Sequence, residues 1–62
     1  MKYTESEYIT AGHRYERAQS LDAGRARAEA IRAMLATENP KDVPEARALI
    51  ERGRAEARTV PT

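Results

Sequence analysis

The chain has 62 residues, of which eleven are basic and ten acidic, leaving a net charge of +1. A chain this short forms one domain, residues 1–62, with a marginal core, and so even a charge balance gives no ground by itself for a polyanion partner. With no cysteine there is no disulfide, and a single histidine, His13, cannot supply a structural zinc site, which takes four Cys or His ligands.

Material for a core is thin. The large aliphatics are Ile9, Leu21, Ile31, Met34, Leu35, Val43, Leu49, Ile50 and Val60, and the aromatics are Tyr3, Tyr8 and Tyr15. Most of the remaining apolar content is alanine. Small scaffolds usually need a disulfide, a metal or oligomerisation, so elimination predicts a homodimer. The N-terminus lacks the apolar run of a signal peptide. No stretch approaches the ~20 apolar residues of a membrane-spanning helix. A soluble, cytoplasmic protein without a membrane partner is expected. Nine of the eleven bases are Arg, and alanine is abundant. A GC-rich coding sequence tends to produce that bias, so it argues only weakly for nucleic acid.

The first predicted element begins at Thr4-Glu5-Ser6-Glu7. This is a capping box, in which the Thr4 hydroxyl accepts from the Glu7 amide and the Glu7 carboxylate accepts from the Thr4 amide. Tyr3 and Tyr8 have the spacing of a hydrophobic staple around it, and Glu5 and Glu7 complement the helix dipole. Onward from Glu5 no strong breaker occurs before Asn39-Pro40, where proline disfavours helical geometry in the preceding residue. Helix 1 is therefore expected over about 5–38, roughly 50 Å at 1.5 Å per residue, with Gly12 and Gly24 in its interior.

Asn39-Pro40-Lys41 reads as a turn. Asp42-Val43-Pro44-Glu45 reads as a second capping box, Pro44 being tolerated in a first turn. Helix 2 is expected over about 43–58, with Val60-Pro61-Thr62 as a frayed tail. So short a connection makes the two helices antiparallel neighbours. The fold class is thus all-α: an unequal antiparallel hairpin that dimerises.

Helix 2 carries a seam of Val43, Ala46, Ile50, Gly53, Ala57 and Val60, alternating three and four as in a coiled-coil contact. The second half of helix 1 offers Leu21, Gly24, Ala28, Ile31 and Leu35 at the same spacing. These two seams form the expected hairpin core, chiefly Leu21, Gly24, Ala28, Ile31, Leu35, Ala46, Ile50 and Gly53. The first half of helix 1 has a different stripe: Tyr8, Ala11, Tyr15 and Ala18. At about 100° per residue it lies more than a quarter turn from the later seam. Helix 2 is too short to cover it. Tyr8, Ala11, Gly12, Tyr15 and Ala18, flanked by Arg14 and Arg17, are the expected intermolecular interface. Ile9 falls off this stripe.

No catalytic constellation emerges, and no cofactor or metal site is expected. His13 has no Ser, Asp or Cys neighbour forming a triad, so solvent exposure is its expected state. Arginines near Gly24 and Gly53 could bind phosphate, but Glu29, Glu51 and Glu56 stand three or four positions away and can neutralise them. A helix-turn-helix with its turn at Asp22-Ala23-Gly24 and recognition residues 25–35 would lack a third supporting helix. It would also need a stronger polar break before Asp22. Nucleic acid is the disfavoured partner.

In size, Arg/Ala-rich composition and unequal hairpin, the chain resembles the small helical anti-activators that phages encode to block a host quorum-sensing regulator. The resemblance covers the whole chain in style and carries over no functional residue. It implies a non-enzymatic dimer that binds and inhibits a host protein. The alternative from another class is a small dimeric nucleic-acid-binding transcriptional regulator.

Overall fold

The computed structural model describes residues 1–59. The expected tail Val60-Pro61-Thr62, and Val60 as the last member of the helix 2 seam, lie outside the described residues. The described chain is all-helical: α1 (Glu5–Glu16), α2 (Leu21–Ala36) and α3 (Val43–Thr59).

Helix α1 begins at the expected cap. Thr4 Oγ1 accepts from the Glu7 amide at 3.1 Å, and Glu7 Oε1 accepts from the Thr4 amide at 2.9 Å. Tyr3 and Tyr8 meet edge to face, with ring centroids 5.8 Å apart, which is the staple.

The continuous helix expected over 5–38 does not form. α1 stops at Glu16, and the chain turns through Arg17–Ser20 before α2 starts. The Arg17 amide still donates to the His13 carbonyl at 3.1 Å, but the Ala18 amide reaches only back to Tyr15, at 3.3 Å. Ser20 then adopts an extended conformation (φ −144°, ψ 162°), and its hydroxyl accepts from the Ala23 amide at 3.0 Å. Serine at this position satisfies one of the orphan amides of a new helix, and Asp22 adds a favourable charge in the first turn. The sequence holds only half of a capping box here, since Ala23 stands where the glutamate would be. The change of apolar register between Ala18 and Leu21 therefore marks a break in the chain. It is not the end of a partner helix's cover.

α2 closes through Thr37, whose amide donates to the Met34 carbonyl at 3.2 Å and whose hydroxyl donates to it at 2.7 Å. The turn that follows is held by the Asp42 amide on the Asn39 carbonyl at 2.9 Å. The second capping box is not among the hydrogen bonds of the described residues. The Asp42 carboxylate instead lies 3.7 Å from the Met1 amino group.

The hairpin pairing also differs from expectation. α1 packs mainly on α3 and secondarily on α2, while α2 and α3 barely touch. Because α2 reverses the chain, α3 returns parallel to α1: Gly12 lies on Ile50, and Glu16 reaches Arg54 and Arg58. Glycine decides this crossing. A Cβ on Gly12 would overlap the Ile50 carbonyl oxygen and come within 2.8 Å of its carbon. A Cβ on Gly53 would overlap the Ile9 carbonyl and come within 3.0 Å of the His13 nitrogen. The two glycines let the backbones touch from both sides. Without side chains there, α1 and α3 gain close dispersion contact along their length.

Buried between α1 and α3 are Tyr8, Ala46 and Ile50, with Tyr3, Ile31, Met34, Leu35 and Leu49 packed around them. Ala46, Ile50 and Gly53 are buried, and the helix facing them is α1 rather than the expected 21–35 seam. Leu21 and Gly24 leave the expected core altogether: Leu21 is 73% exposed, and nothing lies within 4 Å of a Cβ on Gly24. No helix among the described residues is long and apolar enough to cross a membrane.

Candidate functional site

α2 has no fully buried residue. It leans against α1 with its apolar face only partly covered, and this leaves a groove on each of its flanks. Both grooves offer apolar surface framed by charge.

The first groove opens between α2 and α3, with Tyr15 of α1 at its base. Ala28, Ile31 and Leu35 line one wall, and Ile50 with Arg47, Glu51 and Arg54 the other, around a space of about 350 Å³. Arg54 has three partners. Its Nε donates to Glu16 Oε1 at 3.0 Å, its Nη1 donates to Glu51 Oε1 at 3.0 Å, and its guanidinium sits 4.9 Å from the Tyr15 ring centroid. Paired with two carboxylates, the guanidinium lies over the Tyr15 ring in a cation–π contact. Arg58 adds a second bond to Glu16 Oε1, at 3.2 Å. The Arg54 hydrogen bond is the first cause holding the Glu16 carboxyl below its ordinary value of 4.5. Arg47 has no carboxylate within salt-bridge distance among the described residues.

The second groove runs between α1 and α2. Tyr3, Ser6, Glu7, Thr10, Ala11 and Arg14 come from the α1 side, and Arg27, Ala30 and Met34 from α2. Beyond the end of α2, Glu38 ties that helix back to the start of α1. Glu38 Oε2 accepts from the Tyr8 hydroxyl at 2.5 Å and Oε1 from the Lys2 amide at 2.7 Å. That pairing holds the Glu38 carboxyl low, the Tyr8 bond being the largest cause. Burial, followed by the Glu38 contact, pushes the Tyr8 phenol well above its ordinary 10.0.

The expected interface set is divided by this arrangement. Tyr8 is 0% exposed and Gly12 is covered by α3, so neither is free to meet another chain. Ala11 and Arg14 line the α1–α2 groove, and Tyr15 lines the α2–α3 groove. Arg17 and Ala18 fall in the turn. From the expected hairpin core, Ala28, Ile31 and Leu35 end up half-buried on the α2–α3 groove rather than sealed against α3. Ile9, off the tyrosine stripe, belongs to the α3 side of α1, where its carbonyl meets Gly53. His13, expected in solvent, is half-buried, with its backbone nitrogen facing the same glycine.

Local charge pairing was readable. Arg52–Glu56 at 3.1 Å and Arg54–Glu51 at 3.0 Å form at the expected spacings. Glu29 pairs with Arg32 at 3.3 Å and leaves Arg25 and Arg27 without a carboxylate among the described residues. Glu16 and Glu38 accept the long-range hydrogen bonds among the described residues, and nothing in their sequence neighbourhoods signals partners 30 to 42 positions away. No cluster of three or more metal-ligating side chains occurs among the described residues.

Comparison with family models, with curated proteins and with solved structures finds no match to this chain.

Proposed function

We propose that this chain is a non-enzymatic binding protein, an inhibitor or adaptor, that works as a homodimer and blocks a host regulatory protein by direct contact. The observation that carries the reading is the α2–α3 groove. Ala28, Ile31 and Leu35 stand half-buried there beside open space, in a chain whose buried hydrophobic core among the described residues is Tyr8, Ala46 and Ile50. Covering that groove adds the apolar burial that so small a fold lacks.

A second copy is the occupant that fits. Arg47 and Glu51 share one rim, four residues apart on α3. A twofold axis perpendicular to the groove runs α3 of the two copies antiparallel and sets Arg47 of each copy against Glu51 of the other, the self-complementarity that an isologous contact requires. The resemblance to phage anti-activators makes a quorum-sensing transcription regulator in the cytoplasm the first target to test.

Sedimentation equilibrium tests the dimer. The expected mass is about twice 6.9 kDa. Arg47→Glu, at an exposed position that leaves the core intact, should weaken association, and adding Glu51→Arg should restore it. A monomeric wild type with a cooperative melt overturns the reading.

One observation favours a second reading, a nucleic-acid-binding regulator. Arg14, Arg17, Arg25 and Arg27 flank the α1–α2 turn with no carboxylate in salt-bridge range among the described residues. Under that reading, affinity for random duplex DNA falls steeply and linearly with log salt.

A further inference from the structure

We infer that the α1–α2 groove is a docking site for an acidic, aliphatic segment of a partner protein, with a carboxylate seated between Arg14 and Arg27 and an aliphatic side chain over Met34. The inference rests on the protein-binding reading and gives the chemistry of the partner.

The groove is polarised. α1 and α2 run antiparallel across the Arg17–Ser20 turn, since Glu38, just beyond α2, is bonded to Lys2 and Tyr8 at the start of α1. Arg14 and Arg27 therefore share the end near the turn, and Tyr3 and Met34 share the opposite end. Ala11 and Ala30 leave room between the two ends, in a space of about 350 Å³. Tyr3 to Arg14 spans roughly 16 Å at 1.5 Å per residue, about three helical turns of a ligand.

Positive charge gathers at the turn end of the groove, where Arg14 and Arg27 line it, and Glu7 stands about two helical turns before Arg14 on α1. Glu7 lines the groove but is engaged with the Thr4 amide at 2.9 Å. Arg14 and Arg27 have no carboxylate in range among the described residues. Two guanidinium groups on facing helices attract an anion without paying for a broken internal pair. Arginine also prefers planar, bidentate carboxylate partners. The apolar far end adds what a phosphate backbone does not use, namely half-buried Tyr3 and Met34. That combination selects an amphipathic protein segment over nucleic acid.

The test is a selection from a randomised library of helical peptides, run against the wild-type dimer and against the Arg14→Gln/Arg27→Gln variant. The expected outcome is enrichment of Asp or Glu together with Leu or Ile at helical spacing, on the wild type only. Winning peptides, measured by fluorescence anisotropy, should lose about tenfold or more in affinity when their acidic residues are replaced by amides. Met34→Asp should cost a similar factor. The variants' helicity and sedimentation mass are measured alongside. An intact dimer that enriches no acidic peptide overturns this site while leaving the dimer reading standing. Enrichment of the same peptides on the double variant overturns it too. So does random duplex DNA that binds more tightly than the peptides and is lost with Arg14 and Arg27, which assigns the arginines to phosphate.

Discussion

Tyr8 and Glu38, thirty positions apart, are joined by a 2.5 Å hydrogen bond from the phenol to the carboxylate. This bond ties the end of α2 to the start of α1, and the same carboxylate takes the Lys2 amide. Because the Glu38 carboxyl is held below its ordinary 4.5, its contribution is present above that pH and is lost as pH falls through the lowered value. Glu16, held low by Arg54 and Arg58, acts in the same window. The melting temperature of the wild type should therefore drop in acid below about pH 4.5. In Glu38→Gln the melting temperature should start lower at neutral pH and fall less steeply in acid. Parallel melting curves for the two proteins would refute this.

The opposite sign holds for Tyr8. Its phenol is pushed above 10.0, so the neutral form is favoured by folding. That stability is complete below pH 10.0 and is lost as pH rises through the shifted value. Ultraviolet titration of the three tyrosines should show one phenol that ionises late, together with loss of helicity. In Tyr8→Phe the late step should vanish.

The glycines give a contrast within one chain. Gly12→Ala drives a methyl into the Ile50 backbone, where no flexible side chain can yield. The expected cost is about 1–3 kcal/mol or more, as for overpacking. Gly24→Ala meets open space in α2 and should stabilise by about 0.5–1 kcal/mol through helix propensity. Urea denaturation of both variants checks the pair, and equal effects would contradict the close α1–α3 crossing.

Ser20→Ala should remove the α2 cap and cost about 0.5–2 kcal/mol. If α1 and α2 formed one helix, the same change would be neutral or mildly stabilising, since alanine is the better helix former. Thermal melts distinguish the two.

What the sequence discloses follows from range. Thr4 and Glu7 are three residues apart, so the first cap is legible in full. Asn39-Pro40 marks the second turn for the same reason. Ser20 carries a cap without its glutamate, and in an Ala/Arg-rich run such a signal is outweighed by propensity. The pairing of α1 with α3 depends on Gly12 and Gly53, forty-one positions apart, where a glycine reads as a weak point in a helix unless its opposite surface is known. An error in the break then propagates. Once 5–38 is taken as one helix, Ala28, Ile31 and Leu35 are assigned to the wrong neighbour, and Tyr8 is placed outside when it is the centre of the core. Of the groove residues, Tyr15, Arg14 and Ala11 were already singled out as interface, because an aromatic–alanine stripe beside arginine is visible at helical spacing. Arg27, Arg47 and Met34 were not, since their setting arises only from the three-helix packing.

If a second copy closes the α2–α3 groove, the Ile31 and Leu35 side chains that line it meet the other chain. The direct measurement is isotope-filtered nuclear Overhauser spectroscopy on a mixed sample of labelled and unlabelled chains. The expected result is intermolecular contacts from the Ile31 and Leu35 methyls, in a species of twice the chain mass. A monomer, or a dimer whose intermolecular contacts avoid Ile31 and Leu35, would contradict it.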